Sequence, residues 1–404
     1  MTANLDNIPS GWQRVAIGNC VTERRKSPIK VDDAANYGPY PFFTSGEGVL
    51  QHNEALIDGE TLFLATGGVA NAKYFEGKAA YSTDTYALGA KDGYDTKFLY
   101  YLLLFLRDYI NTNFFQGSGL KHLKKKDLKS FEIAVPLSKD EQKRISDALS
   151  EVDDAIAQTD ALITKFESIK KGLMADLLTN GIDPAGNIRS ETTHQYKDSP
   201  IGRIPAEWDC KHIADLYGTI KSGITPSRAV PQFYESGKYP WVKTLDLNEK
   251  ELYQTDENVS DYCLEHTALQ LMPENTILIA MYGGWLQIGR TALLKVSAGL
   301  NQAVCGLCNP LVALNPYYTL YYLQEHKLRW RKDAISTRKD PNISKKDILD
   351  FYIAYPKDES EQTKISDIIK DITDLLDLNS RTILLLRNQR DGLLSDLITG
   401  KVRI

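Results

Sequence analysis

The 404-residue chain has no cysteine framework. Its five cysteines (Cys20, Cys210, Cys263, Cys305 and Cys308) are scattered, which excludes a small cross-linked scaffold and points to a reducing, cytoplasmic setting. Long apolar runs are also missing. The longest, FLYYLLLFL from Phe98 to Leu106, is about half of what a membrane span requires. MTANLDNIPSGW has neither the basic start nor the apolar run of an export signal, so no membrane partner is expected. No metal pattern stands out: the six histidines show no H-E-x-x-H, and Cys305-x-x-Cys308 lacks a second ligand pair at zinc spacing. No metal is expected, and the two cysteines read as buried thiols in a strand. A basic excess is missing too. The net charge of −5 argues against binding nucleic acid by total charge, although distribution matters more than the sum. What remains, 42% hydrophobic and 25% charged, is an ordinary globular composition with length for two or three domains.

What is present is a long repeat. FEIAVPLSKDEQKRISDALSEVDDAI, Phe131 to Ile156, returns as FYIAYPKDESEQTKISDIIKDITDLL, Phe351 to Leu376. The same offset carries Gly172, Leu173, Asp176 and Leu177 onto Gly392, Leu393, Asp396 and Leu397. Two copies so far apart suit a duplicated half-molecule rather than a solenoid. In each, an alternating strand (EIAV or YIAY) ends at Pro136 or Pro356. Capping-box spacing follows, Ser138 with Glu141 and Asp358 with Glu361. Apolar residues at heptad spacing then predict one long helix: Ile145, Leu149, Val152, Ile156, Ile163, Phe166, Leu173 and Leu177, answered by Ile365, Ile369, Ile372, Leu376, Ile383, Leu386, Leu393 and Leu397. Stops at Asn180-Gly181 and Gly400 give each helix roughly 40 residues and ~60 Å.

The variable parts repeat more loosely. IPSGW (Ile8 to Trp12) answers IPAEW (Ile204 to Trp208), and DGETLFLATGG (Asp58 to Gly68) answers PENTILIAMYGG (Pro273 to Gly284). An apolar helix is expected from Asp95 in one half and from Asn315 in the other. Asn315-Pro316-Tyr317-Tyr318 looks like a methyltransferase loop with one proline replaced, but no glycine-rich fingerprint precedes it. Asn as helix N-cap with proline at the first helical position explains it better. GWLQIGRT, Gly284 to Thr291, resembles a P-loop with arginine for the required lysine. The strand-like TALLKV after it makes a glycine turn the better reading.

The order and duplication of these motifs resemble the specificity subunit of Type I restriction–modification enzymes. Glu141-Gln142 and Glu361-Gln362 fit the EQ-x-x-I opening of that family's spacer helices. GITPSR (Gly223 to Arg228), YPWVKTLD (Tyr239 to Asp246), TILIAMYGG and NQAVCGL (Asn301 to Leu307) look like one common target-recognition type. FFTSGEGVL, LATGG and YSTDTYAL (Tyr81 to Leu88) match less richly. The resemblance covers essentially the whole chain. It implies an α+β protein: two α/β target-recognition domains in a pseudo-two-fold arrangement, separated by two long antiparallel coiled-coil-like helices. The expected boundaries are a first recognition domain at 1–137, a central spacer helix at 138–181, a linker at 182–200, a second recognition domain at 201–357 and a distal spacer helix at 358–404. The resemblance further implies a non-catalytic subunit that reads a bipartite site in double-stranded DNA. The helices would dock two modification (methyltransferase) subunits, which carry S-adenosylmethionine, and a restriction/translocase subunit can join. This chain would hold no cofactor of its own. The alternative is a DNA-independent helical assembly scaffold whose variable domains bind protein or carbohydrate.

Basic runs lie at the same place in both halves: Lys121, His122, Lys124, Lys125 and Lys126, and Arg338, Lys339, Lys345 and Lys346. They read as a solvated surface or as contacts to DNA phosphate, which position a protein without reading sequence. Candidates for bonding base edges are the loop residues Thr44, Ser45, Thr66 and Lys73 in the first domain and Lys243, Thr244, Gln287 and Arg290 in the second. Thr159 and Asn379 occupy the same polar position in the two helical seams. They are expected to face each other and fix register, as a lone polar seam residue can.

Overall fold

Each half opens with a tryptophan-led strand, Trp12–Ala16 or Trp208–His212, that pairs antiparallel with the strand closing the same half, Glu132–Pro136 or Tyr352–Pro356. The registers agree, Trp12 lying opposite Pro136 and Trp208 opposite Pro356. The structure, a computed structural model, describes residues 8–333 and 342–404. It divides into two compact units, one holding the chain through Leu162 together with Asn379–Ile404, the other holding Ile163–Leu378. The class is α+β, as expected.

In the first unit a four-stranded antiparallel sheet runs in the order Val21–Glu23, Thr85–Ala90, Thr61–Ala65, Ala72–Phe75. A three-stranded sheet places Tyr40–Phe43 between Val49–His52 and Ala80–Tyr81. The second unit repeats the scheme with larger sheets, and Ile277–Ala280 and Tyr239–Val242 take the places of Thr61–Ala65 and Tyr40–Phe43. One apolar helix backs each main sheet. Thr96–Phe105 is capped by Asp95, and Pro316–Glu325 by Asn315 with proline in the first turn. The Asn-Pro-Tyr-Tyr motif is therefore a helix start. Cys305 and Cys308 are buried in the strand Val304–Pro310, and burial pushes the Cys305 thiol up to about 11.

The long helices are present as Lys139–Leu177 and Glu359–Ile398. The sequence expectation kept them apart from the domains, but packing divides each between the two units. Ile145 and Leu149 join Leu394, Leu397 and Ile398 in the core around Trp12 and Phe98. Ile365 and Ile369 join Met174, Leu177, Leu178 and Ile182 in the core around Trp208 and Tyr318. The seam is thus deeply buried at the helix ends, while Val152, Ile156, Ile163 and Phe166 are only half-buried.

Three expectations are corrected. First, the capping boxes do not close at these helices. The Glu141 amide donates to Ser138 Oγ at 3.4 Å, but its carboxylate accepts from Trp12 Nε1 at 3.2 Å and from Arg403 Nη2 at 2.8 Å. Glu361 likewise accepts from Trp208 Nε1 at 3.1 Å, the Ile182 amide at 3.2 Å and Arg189, whose Nη2 lies 3.0 Å away. The buried indole N–H groups of Trp12 and Trp208, and at Glu361 the Ile182 amide, take the carboxylates that a solvent-exposed cap would have used. Second, the 182–200 linker is folded. Ile182 and Arg189 are buried, and Tyr196–Ser199 forms a hairpin with Gly202–Pro205.

Third, Thr159 and Asn379 do not face each other. In the first unit Asp153 reaches Arg390 at 3.3 Å and Asp160 reaches Arg387 at 4.0 Å, so the helices are antiparallel there. This register puts Thr159 and Asn379 about seven residues, or ~10 Å, apart along the axis. The Thr159 hydroxyl donates instead to Ala155 O of its own helix at 2.7 Å.

Each helix ends on a left-handed glycine, Gly181 (φ 66°) or Gly400 (φ 67°). A methyl on Gly181 would collide with the Glu361 carboxylate and lie 2.5 Å from the Trp208 ring. Gly181→Ala should therefore cost about 3 kcal/mol or more, combining left-handed strain with overpacking. Gly172, helical with open space around it, is the control. Gly172→Ala should be neutral or stabilising by up to roughly 1 kcal/mol. Thermal unfolding of both variants tests the contrast, and equal midpoints would defeat it.

Candidate nucleic-acid interface

The central strand of each main sheet runs out into a glycine turn. Beside Thr61–Ala65, the loops at 44–48 and 66–71 are knitted together. Thr66 donates its amide to Ser45 Oγ at 3.1 Å and its hydroxyl to Asp84 O at 2.7 Å, and Ser45 Oγ also donates to Asp84 O. Lys73 Nζ donates to three carbonyls of one loop: Thr44 at 3.2 Å, Gly48 at 3.0 Å, and Gly46. Desolvation lowers the pKa of its ammonium. Thr44, Ser45, Thr66 and Lys73 are therefore brought together, but Lys73 points into the loop rather than away from it. A cleft of about 450 Å³ opens beside them, lined by Ser45, Gly46, Val69, Asn71, Arg107 and Asn111, with Glu47 and Asp108 also on its wall.

Lys73→Met should loosen this loop by about 1.5–3 kcal/mol, the range for hydrogen bonds that involve a charged group. Amide hydrogen exchange would show it as faster exchange at Gly46 and Gly48 with the Thr61–Ala65 strand unaffected. Unchanged loop protection would count against an anchoring role.

In the second unit Lys243, Thr244, Gln287 and Arg290 gather at the turn after Ile277–Ala280. A Cβ on Gly283 would meet Gln287 at 2.7 Å and Thr244 Oγ1 at 3.9 Å. Arg290 Nη1 donates to Gln287 Oε1 at 3.1 Å. Lys243 Nζ donates to Glu257 at 2.7 Å, and Arg228 approaches the same carboxylate at 2.6 Å. Hydrogen bonds from Arg228 and Lys243 hold the Glu257 carboxyl down to about 2. The GWLQIGRT stretch is a turn leading into the strand Thr291–Leu294, as the sequence suggests.

The basic runs are stitched to these turns by equivalent backbone bonds. The Leu123 amide donates to Thr66 O at 3.0 Å, and the Ile343 amide donates to Met281 O at 3.0 Å. Lys121, His122, Lys124, Lys125 and Lys126 are all exposed. Lys125 lies over the Tyr86 ring, 4.3 Å from its centroid. Lys345 and Lys346 are exposed at the start of a short helix capped by Ser344, whereas Arg338 and Lys339 lie outside the described residues. Sequence reasoning missed the exposed apolar residues beside these polar ones, Val69, Leu120, Trp285 and Leu286. For Val69 and Trp285 the signal was an apolar residue directly after a glycine pair in each half.

Gln142 and Gln362 fix each recognition region to its helix in the same way. Gln142 Nε2 donates to Pro136 O at 2.9 Å and Gly93 O at 3.2 Å, and its Oε1 accepts from the Asp95 amide at 2.9 Å. Gln362 Nε2 donates to Pro356 O at 2.8 Å and Ala313 O at 3.0 Å, and its Oε1 accepts from the Asn315 amide at 2.8 Å. Among the described residues no group of three or more His, Cys, Asp or Glu could hold a metal ion, and no helix is long and apolar enough to cross a membrane.

A family profile described as the Type I restriction modification DNA specificity domain matches residues 9–167 and again 205–387. The chain is 23% identical to the Type I restriction enzyme MjaVIII specificity subunit of Methanocaldococcus jannaschii over 418 aligned positions, covering 98% of this chain and 94% of that one. Its fold is similar to the crystal structure of a Type I restriction–modification S subunit from M. genitalium, with a TM-score of 0.68 at 17% identity over 98% of this chain and 97% of that one. A chain from a structural study of Type I complex assembly and conformational transition aligns with a TM-score of 0.54 at 15% identity, covering 98% of this chain and all of the other.

Proposed function

Because the chain belongs to the family of Type I restriction–modification DNA specificity subunits, we propose that it reads a bipartite site in double-stranded DNA, one half with each unit. The observation that carries this reading is the duplication of one loop system. In both units a glycine turn after the central strand is bonded through the same backbone position to a basic run. Lys121, Lys124, Lys126, Lys345 and Lys346 would take phosphates, and the turn residues would meet the bases.

The long helices would carry the modification subunits. The second one exposes Leu384 and Leu385, adjacent apolar side chains that suit packing with a partner. S-adenosylmethionine would be bound by those subunits, and this chain would perform no chemistry; a restriction subunit could join the assembly. The DNA-independent scaffold is set aside, because the family matched in both halves is a DNA specificity family.

The test is adenine-methylation mapping of genomes with and without this chain, paired with its modification subunit. A split motif that appears only with the chain is the expected result. Methylation that does not depend on the chain would refute the reading.

A further inference from the structure

In the second unit the segment that follows the strand Tyr217–Ser222 is held along its length. The Gly223 and Ile224 amides donate to Asn301 O at 3.2 Å and Leu300 O at 2.9 Å. Trp241 Nε1 donates to Ile224 O at 3.2 Å, Tyr234 Oη to Pro226 O at 2.7 Å, and Thr225 Oγ1 to Gln302. A Cβ on Gly223 would fall 1.6 Å from Leu300 O, so only glycine lets the two backbones meet this closely. Arg228 stands at the end of this fixed segment, its side chain 57% exposed.

The guanidinium is oriented from two sides. Its Cζ lies 4.3 Å from the centroid of the Tyr234 ring and 5.4 Å from that of Trp241, and those two rings pack edge to face. Nη1 lies 2.6 Å from Glu257 Oε2. The other oxygen of that carboxylate accepts from Lys243 Nζ at 2.7 Å. Lys243 adjoins Thr244, which faces the glycine turn of this unit. Among the described residues Glu257 is the one carboxylate within ion-pairing distance of Arg228, so a fork of five donors keeps N–H groups for a ligand.

A phosphate and a base edge place different demands on such a group. Glu257 sets a negative charge beside the guanidinium, and that charge repels a phosphate oxygen brought to the same fork. Guanine instead offers two uncharged acceptors side by side in the major groove, O6 and N7, and a planar fork of fixed orientation meets both at once.

We propose that Arg228 reads a guanine in the half-site met by the second unit, with Glu257 as the positioning residue that holds its plane. This rests on the specificity reading above.

The test uses the chain assembled with its modification subunit and short duplexes carrying the methylated motif, each guanine replaced in turn. 7-Deazaguanine removes the N7 acceptor from the major groove, whereas inosine removes only the amino group in the minor groove. At one guanine the wild-type complex should lose roughly tenfold in affinity with 7-deazaguanine, within the range of a bidentate arginine–guanine contact, and keep its affinity with inosine. Arg228→Lys leaves a cation over Tyr234 but removes the fork. It should erase that difference and leave the response at every other guanine intact. Arg228→Met should do the same with an unchanged salt slope, since one lost phosphate contact would flatten the slope of log K against log salt by about 0.9. Glu257→Gln releases the guanidinium, and should lower the guanine preference while raising affinity for unrelated DNA.

A wild-type complex indifferent to 7-deazaguanine at every position overturns the proposal. So does an Arg228→Lys complex that keeps the wild-type response, or a slope flattened by one contact in Arg228→Met. A folded Arg228→Lys chain that no longer retains its modification subunit also overturns it, because the arginine would then be a protein contact. An unaltered preference in Glu257→Gln removes the positioning role. A wild-type complex that reads no split site sinks the specificity reading and this proposal together, whereas the other adverse outcomes sink this proposal alone.

Discussion

Glu361→Ala is expected to destabilise the unit around Trp208 by about 3–5 kcal/mol, the cost of removing one partner from a buried ion pair. The side chains of Arg189 and Glu361 are 6% and 9% exposed. Alanine would leave the guanidinium charged and dry, and would also strand the Trp208 indole N–H and the Ile182 amide. The matching change in the other half, Glu141→Ala, should cost less, about 1–2 kcal/mol. Its partner Arg403 is 45% exposed and can turn toward water. Glu361→Gln should fall between, since it keeps an acceptor for Trp208 but loses the charge. Hydrogen exchange across the cores around Trp208 and Trp12 would rank the three variants. A Glu141→Ala chain less stable than Glu361→Ala would refute the account.

Reversing Lys121, Lys124 and Lys126 to glutamate should weaken binding of the assembled complex to its DNA about a hundredfold at 0.1 M salt. Each phosphate contact contributes roughly 0.9 to the slope of log K against log salt, so losing three should flatten the slope by about 2.7. Lys125 is left out because its ammonium lies over the Tyr86 ring. Loss should be uniform across sequences, since phosphate contacts position without specifying. Filter binding from 0.05 to 0.3 M salt measures both quantities. An unchanged slope would mean that these lysines face only solvent.

The two halves were readable where local chemistry determines local structure. Alternation with a terminal proline became strands, Asn315-Pro316 and Asp95 became helix caps, and heptad spacing became two helices of the expected length. The turn read in Gly284 to Thr291 is also present. What those residues touch was not readable. Lys73 and Lys243 look like surface cations in sequence, yet each is held by acceptors brought in by the fold, loop carbonyls in one case and Glu257 in the other.

The long helices divide in the same way. Periodicity along the chain fixes where an apolar stripe lies, because side chains three and four residues apart share a helix face. The sequence alone thus determined two struts, their lengths and their duplicated settings. It did not determine their register or what their ends bind. Glu141 and Glu361 sit at capping-box spacing, but in the folded chain each finds a tryptophan N–H and an arginine supplied from beyond the end of the other helix. A buried, multiply bonded carboxylate outweighs an exposed cap by more than any local preference, since leaving those donors unpaired costs more than losing the cap. Only the tertiary structure could decide that, because the competing partners come together only once the chain has folded.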